Sequence, residues 1–282
     1  MKRLMYLFAL FSVLVISSCS SDLDSSSTED IPEEGYVTFH FEPNYDVKPL
    51  TRAVTSISDV CNKLVVKVVD ESGSSTLYTQ SSSDANFGTL KIGVNSTTSS
   101  VYSLAYWGDN TATIGDGGVT TFNNNEIVDA FFATTGGWKL YEKSSVNVTL
   151  NRVSAKVKLG FTEAEVPAAL KKMVITIIGG TNVINGTEPV EITKEFTDIS
   201  TGKWGTKSYE SLLYIPTGVT KVSVKATAYN SSNNVIQERT FNNVPVQANY
   251  VTTISGKFFY DGYPEFIFSV DADWNIGETI NY

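Results

Sequence analysis

The sequence predicts an all-β protein made of two β-sandwich domains in tandem, with at most one or two short helices. The first observation is a series of short apolar or alternating runs after residue 35, rich in Val, Ile, Thr, Tyr and Phe and separated by Gly, Asn, Asp and Ser. The second is that only one segment has a helical character. The third is length, because about 260 residues after a signal peptide fit two ordinary domains.

The first element is an export signal that ends at a cysteine. The pair Lys2-Arg3 precedes an apolar run from Leu4 to Ile16, which is the order of a secretory signal and is too short to span a bilayer. Ile16-Ser17-Ser18-Cys19 then resembles a bacterial lipobox, in which the cysteine is acylated and becomes the new N-terminus. We predict a signal peptide over residues 1–18 and a lipid anchor on Cys19.

A tether over residues 19–35 follows. From Ser20 to Glu34 it has almost no apolar residue and cannot offset its ordering entropy, so we predict that it is disordered. Asp22 and Asp24 resemble the surface-export signal of outer-membrane lipoproteins in some anaerobic bacteria. The expected location is therefore the cell outer membrane, lipid-anchored and exposed at the surface.

The charge of the chain excludes one class of partner. The sequence has 21 basic and 30 acidic residues, and loss of the two cations of the signal lowers the formal net charge from −9 to −11. This field repels nucleic acid, and no basic patch with interleaved aromatics opposes it.

The first strand candidate, YVTFHFEP from Tyr36, has one apolar and one polar face. Val37, Phe39 and Phe41 share the apolar face, and His40 lies on the other. His40 is the only histidine of the sequence, so a His-dependent triad or a His-rich metal site is disfavoured, and we interpret it as a solvated strand residue.

No group of residues points to catalysis, a metal or a cofactor. Cys61, within VCNKLVVKVV, has no partner once Cys19 is lipidated, and its apolar context favours a buried small hydrophobe over a nucleophile. GDNTATIGDGG at 108 lacks the oxygen spacing of an EF-hand, and its residue types favour turns. No pair of acids stands out as a catalytic pair, and we predict that the protein is not an enzyme.

The face of the buried residues changes within SSVNVTLNRVSAKVKLGF, from Ser144 to Phe161. The change across Asn151-Arg152 requires a bulge or a strand that moves from one sheet to another, because side chains alternate strictly along a strand. We place the domain boundary just after it, giving an N-terminal domain over 36–160 and a C-terminal domain over 161–282. Even positions are apolar before the change and odd positions after it, namely Val146, Val148 and Leu150, then Val153, Ala155, Val157 and Leu159.

The one helix candidate is TEAEVPAALKKM from Thr162. Thr162 has a residue type favoured at the N-cap, and Glu163 and Glu165 would lie in the first turn. The remaining strand candidates flank this segment on both sides. They are KLVVKVVD at 63, GTLKIGV at 88, VYSLAYW at 101, MVITII at 173, KVSVKATAYN at 221, YVTTISGKFFY at 250 and EFIFSV at 265.

Several of these segments resemble a known family. LNRVSAKVKL, with Arg152 followed by Ala155-Lys156-Val157, resembles the R-x-x-A-K-V strand of the fimbrillin-like (FimA/Mfa-like) fimbrial subunits of anaerobic bacteria. NNVPVQANYVTTISGKFF from Asn242 and DADWN from Asp271 are similar as well, and Thr51-Arg52-Ala53 lies where that family would have it. The resemblance covers essentially the whole chain.

The resemblance implies two transthyretin-like β-sandwich domains, export as a lipoprotein, and assembly into a fimbria with other subunits by β-strand donation. In shaft subunits of the family an arginine-specific protease cuts after the first strand and opens a groove, whereas anchor subunits keep the lipidated N-terminus. Arg52 is the candidate cleavage site here, and the strand with Val37, Phe39 and Phe41 is the candidate plug of the groove. The sequence leaves open a shaft, anchor or tip role and the identity of any host or bacterial surface ligand.

A second hypothesis is an outer-surface lipoprotein that binds carbohydrate. The four tryptophans, Trp107, Trp138, Trp204 and Trp274, could stack on sugars with some of the 14 tyrosines, although large aromatics also fill sandwich cores. Coplanar exposed aromatics at the edge of a sandwich would favour this hypothesis.

Overall fold

The computed structural model describes residues 34–44, 56–95, 97–136, 140–163, 167–197, 199, 209–260, 262 and 265–271. Cys19 and Arg52 lie outside these residues, as do the predicted signal, nearly all of the tether and three of the four tryptophans. Within them, no helix is long and apolar enough to cross a membrane.

The described chain is all-β, as predicted. Its only helices are four three-residue 3-10 helices, at Ile57–Asp59, Asp116–Gly118, Asn123–Asn125 and Leu140–Glu142. The strands are β1 (Glu34–Pro43), β2 (Lys63–Asp70), β3 (Ser75–Ser81), β4 (Thr89–Asn95), β5 (Thr98–Tyr106), β6 (Ala112–Ile114), β7 (Thr120–Phe122), β8 (Ala130–Gly136), β9 (Ser145–Arg152), β10 (Ser154–Phe161), β11 (Lys172–Gly180), β12 (Val190–Phe196), β13 (Tyr209–Tyr214), β14 (Lys221–Tyr229), β15 (Val235–Pro245), β16 (Val251–Gly256) and β17 (Ile267–Asp271).

The first sandwich is one sheet that folds over on itself at β9. Its strand order is β3-β2-β5-β8-β9-β1-β4, and β9 joins the two halves because its last residues pair with β8. Alternate apolar residues of both halves meet in one core, as expected for facing sheets. This core includes Val37, Phe39, Phe41, Leu64, Val66, Val68, Ile92, Val94, Val101, Phe131, Val148 and Leu150.

The second sandwich consists of two four-stranded sheets, β13-β10-β16-β17 and β12-β11-β14-β15. The strand β11 shows why the chain extends here, because MVITII combines β-branched residues with an alternation that buries Met173, Ile175 and Ile177. These side chains pack against Ala155, Val157, Leu159, Leu213, Val224, Ala226, Ile254 and Phe258.

The two sandwiches share an apolar interface on the outer face of β2, β5 and β8. Tyr214 is central to it, because its hydroxyl donates to the carbonyl of Val128 at 3.0 Å and accepts the Val128 N–H at 3.2 Å. A backbone pair between Thr120 and Ile184 adds two hydrogen bonds, of 3.0 and 2.9 Å. Strand β2 therefore buries side chains on both faces, since Val65 is buried at this interface while Leu64 lies in the core.

The change of face at Asn151-Arg152 marks the passage from one sandwich to the other. Strand β9 ends at Arg152 and pairs within the first sandwich, whereas β10 begins at Ser154 and pairs with β13 and β16 of the second. The periodicity argument for a sheet-switching segment is confirmed. Because all of β10 belongs to the second sandwich, we propose a domain boundary at Val153 in place of the one expected after residue 160.

The helix predicted from Thr162 is wrong for the part of it that the structure describes. Pro167 to Leu170 form a turn, in which the Leu170 N–H donates to the Pro167 carbonyl at 2.9 Å, and β11 begins two residues later. Burial of Leu170 in the second core favours this path over a helix, and Pro167 has no N–H for a helix interior. Glu163 accepts the N–H of Phe259 at 2.6 Å instead of serving a first helical turn.

Candidate functional site

The first strand lies inside its sheet and not at the edge. On one side β1 runs antiparallel to β4, from Glu34 opposite Asn95 to His40 opposite Thr89. On the other side it runs parallel to β9, from Thr38 opposite Ser145 to Pro43 opposite Leu150. Strand β4 is consequently the edge strand, and β1 fills a slot between two walls.

The apolar face of β1 is part of the core. Val37 and Phe39 are fully buried, Phe41 is 3% exposed, and the two phenyl rings stack with centroids 6.1 Å apart. On the opposite face, Tyr36 is 70% exposed and lies over the Lys91 ammonium at 4.9 Å from the ring centroid. His40, also on that face, is half-buried, with Nδ1 at 3.4 Å from the Thr89 hydroxyl.

The β4 wall is held by two side chains of β3, which lies in the opposite half of the sandwich. The Tyr78 hydroxyl accepts the N–H of Gly93 at 3.2 Å. The Gln80 amide donates to the Thr89 carbonyl at 2.9 Å and accepts the Gly88 N–H at 3.1 Å. These contacts join two sheet edges that have no ladder between them.

Gly88, just before β4, permits a close approach of the backbone. Its φ is +86°, and a Cβ placed there would lie 2.6 Å from Cγ2 of Ile57. Its carbonyl accepts the N–H of Phe41 at 2.9 Å, which continues the pairing with β1. Only glycine fits this position without strain.

The β9 wall ends in a buried ion pair. Arg152 Nε lies 3.0 Å from Asp129 Oδ1, and Nη2 donates to Oδ2 at 3.2 Å. The guanidinium lies over the Phe131 ring at 4.7 Å and also donates to Asn249 of the second sandwich at 3.2 Å. The Ser154 hydroxyl donates to Asp129 Oδ1 at 2.7 Å. This paired fork explains how a guanidinium that is 4% exposed can occupy the core face of β9.

Cys61 lies in the first core, as interpreted from the sequence. It is fully buried, and burial raises the pKa of its thiol well above the usual value, with the carboxylate of Asp129 acting in the same direction. A thiol of this kind stays protonated, so it is a poor nucleophile.

The segment from residue 108 to 118 contains a bend at Gly108-Asp109, the short strand β6 and the 3-10 helix Asp116–Gly118, so the turn predicted from its composition accounts for only part of it. Gly117 and Gly118 both have positive φ, +64° and +79°. A Cβ at Gly118 would lie 2.7 Å from the Tyr102 ring, so the backbone of this turn packs directly on that side chain. Within the described residues, no group of three or more His, Cys, Asp or Glu side chains could hold a metal ion.

The last described strand has the opposite character to β1. Among the described residues, strand β17 pairs with β16 alone, at the edge of the second sandwich, and all five residues of β17 are exposed. Ile267 is 69% exposed and Val270 is 42% exposed. An apolar edge strand of this kind is open to pairing with another chain.

The exposed aromatic side chains of the described residues lie in different parts of the fold and do not form a coplanar set on which a sugar could stack. Tyr36, Trp107 and Tyr260 are each about half exposed or more, and they belong to β1, to the end of β5 and to the segment after β16. The parallel ring stacks lie instead in the cores, as for Phe161 and Phe258 at 4.6 Å.

Sequence reasoning missed the two β3 residues and Asp129. Alternation in STLYTQS would direct the apolar Leu77 inward, yet Leu77 is 57% exposed. The half-buried face of β3 is the opposite one, which includes Tyr78 and Gln80. Asp129 immediately precedes the apolar AFF of β8, and nothing in the local pattern distinguishes it from a turn residue.

Comparison with known proteins identifies the fold. A family model described as "Family of unknown function (DUF6562)" matches residues 27–279. No curated protein is significantly similar in sequence. A solved candidate adhesin from Bacteroides ovatus has a TM-score of 0.52 and 10% identity over 83% of this chain and 95% of its own. Another, from Bacteroides thetaiotaomicron, has a TM-score of 0.52 and 11% identity over 85% and 96%.

A third structure is the fimbrial anchor protein Mfa2 from Porphyromonas gingivalis, with a TM-score of 0.46 and 8% identity over 85% of this chain and 98% of its own. At the level of the fold, the chain is similar to the two Bacteroides structures, which agrees with the resemblance noted from the sequence.

Proposed function

The chain belongs to the family of unknown function DUF6562, and we propose that it is a structural subunit of a cell-surface fimbria that joins its neighbours by β-strand donation. The observation that carries this proposal is the position of β1. It is the first strand that the structure describes, it pairs on both sides, and it fills the core with three apolar side chains. One cut after β1 would release it without interrupting another strand.

The slot left by β1 requires a strand with apolar side chains at alternate positions. Loss of β1 would expose the unpaired edges of β4 and β9 and the apolar surface that Val37, Phe39 and Phe41 now cover. Neither the edges nor the surface is stable in water, so an incoming strand would be bound by both.

The C-terminal end of a second copy supplies such a strand. Phe268 and Val270 of β17 are exposed at the sheet edge, and the sequence continues the alternation with Ala272, Trp274 and Ile276. Polar residues occupy the intervening positions, as in DADWN. This pattern matches the period-2 requirement of the slot.

Export and anchoring follow from the N-terminal sequence. Cys19, at the end of the lipobox-like segment, would carry the acyl chains that hold the precursor at the outer membrane, with the domains exposed at the surface. Arg52, between β1 and β2, would be the cleavage site in a shaft subunit. In an anchor or tip subunit β1 stays in place, and the lipid tether is retained. The adhesin role assigned to the two Bacteroides relatives agrees with a surface protein of this kind.

The test is cleavage of the purified mature chain with an arginine-specific protease, followed by size-exclusion chromatography. Oligomers that form as residues up to Arg52 are lost support strand donation. The control is Arg52→Gln, which should remain monomeric under the same treatment. A cut chain that stays monomeric and keeps its N-terminal fragment contradicts the shaft role and favours an anchor or tip.

A further inference from the structure

The two walls of the β1 slot are tied to the opposite half of the first sandwich by contacts that do not involve β1. We propose that Tyr78, Gln80 and Arg152 are positioning residues that keep the slot open and in register after β1 has left. The inference rests on the proposed function, because it concerns the slot as a receptor for a strand.

The β4 wall shows the need for such contacts. Strand β4 is an edge strand, and within the described residues β1 is its one ladder partner. Loss of β1 would therefore leave β4 with no backbone pairing. The Tyr78 hydroxyl and the Gln80 amide hold the backbone of this segment at two points five residues apart, Gly88 and Gly93. Two fixed points keep both the distance between β4 and β3 and the direction in which β4 runs.

The choice of side chains is specific to this task. Tyr78 and Gln80 lie on the same face of β3, and both bind backbone groups of the β4 segment instead of its side chains. Gln80 binds with both ends of its amide, which fixes its orientation as well as its position. A backbone contact is unaffected by which side chains a new strand brings into the slot.

The β9 wall is secured at one end. Along most of its length β9 pairs with β1, and it pairs with β8 at only two positions, opposite Phe131 and Phe132. The bidentate contact of Arg152 with Asp129, at 3.0 and 3.2 Å, lies at this same end and adds a charge-assisted clamp to the short ladder. The hydrogen bond that Arg152 donates to Asn249 extends this clamp to the second sandwich.

Other contacts of the walls would leave together with β1. They are the contact of the Tyr36 ring with Lys91, the contact of the Thr89 hydroxyl with His40, and the hydrogen bond that Asn44 Nδ2 donates to Asn151 Oδ1 at 2.8 Å. Each includes a residue of β1 or the residue that follows it. The wall contacts thus divide into those that hold the plug and those that hold the empty slot.

The experiment uses the full mature chain with a viral-protease recognition sequence inserted between residues 45 and 55, so that it does not depend on Arg52. After the cut, the N-terminal fragment is removed in moderate denaturant and the protein is returned to buffer. The probe is a fluorescent peptide with the sequence of residues 34–44, EGYVTFHFEPN, and its dissociation constant is measured by anisotropy.

We expect the wild-type cut protein to bind the peptide and to retain amide exchange protection in β4. The variants Tyr78→Phe and Arg152→Lys should each bind the peptide roughly five- to tenfold more weakly. The first loses one positioned hydrogen bond, and the second loses the bidentate geometry. The matched controls Tyr229→Phe and Arg239→Lys, in the second sandwich, should bind as wild type. Uncut variants should melt within about 5 °C of wild type, because β1 then holds the walls itself.

Equal binding by wild type and both variants would overturn the inference, and so would a cut wild-type protein whose β4 loses its protection and binds no peptide. If the uncut variants lost as much free energy of unfolding as the cut variants lose in peptide binding, the contacts would have an ordinary structural role. Failure of the proposed function would give a different result, because the cut chain would then bind its own β1 peptide but form no oligomers.

Discussion

Replacement of Phe39 by alanine tests whether β1 is held mainly by its core-facing side chains. Phe39 is fully buried, stacks on Phe41 at 6.1 Å, and lies between Leu90 of β4 and Val146 of β9. A buried phenylalanine truncated to alanine costs about 3–5 kcal/mol in transfer free energy and cavity formation. We expect a loss of that size in the free energy of unfolding, measured by urea denaturation.

The same change should act on strand release. If the cut chain holds β1 by the same contacts, a loss of about 3–5 kcal/mol weakens retention of the fragment by roughly 150- to 5,000-fold. The control is Tyr36→Ala, which removes an exposed ring of the same strand and should cost no more than about 1 kcal/mol. A Phe39→Ala cost as small as that of Tyr36→Ala would refute the view that the buried face holds the strand.

Three further outcomes are expected. Cys19→Ala should leave the fold intact but release the protein from the membrane, and unchanged partition into the detergent phase would contradict the anchor. Gly88→Ala should lower the free energy of unfolding by about 1–3 kcal/mol, because φ is +86° and Ile57 blocks the Cβ, whereas Gly73→Ala, with φ +83° in open space, should cost less; equal costs would remove the steric argument. Burial raises the pKa of Tyr209 to about 12, so the stabilisation from its neutral form is complete below pH 10 and is lost as the pH rises towards 12; Tyr209→Phe should flatten this loss in alkaline thermal melts.

Part of the fold follows from local pattern alone. Alternation in YVTFHF assigns Val37, Phe39 and Phe41 to one face, and the structure buries that face. The change of face at Asn151-Arg152 requires a bulge or a change of sheet there, because a strand cannot turn its side chains over without a break, and the structure shows the change of sheet. Such features depend on the geometry of a single strand, which neighbouring residues encode.

The helix candidate shows where local pattern fails. Thr162 and the acids after it satisfy the rules for a helix start, but burial of Leu170 and the entry of β11 at Lys172 depend on a core formed by distant segments. Tertiary contacts of this kind outweigh intrinsic propensities of a few tenths of a kcal/mol per residue. The same reason explains β3, where Leu77 is exposed and Tyr78 is turned toward β4.

The sequence by itself determined the all-β class, the apolar faces, and the position at Asn151-Arg152 where the alternation of one strand has to break. Each of these is written in residues that are adjacent or alternate along the chain. Only the tertiary structure decided that β1 lies between β4 and β9, and that Asp129 pairs with Arg152. Strand partners and buried ion pairs join residues far apart in the chain, and which of them meet is decided by the packing of the whole core.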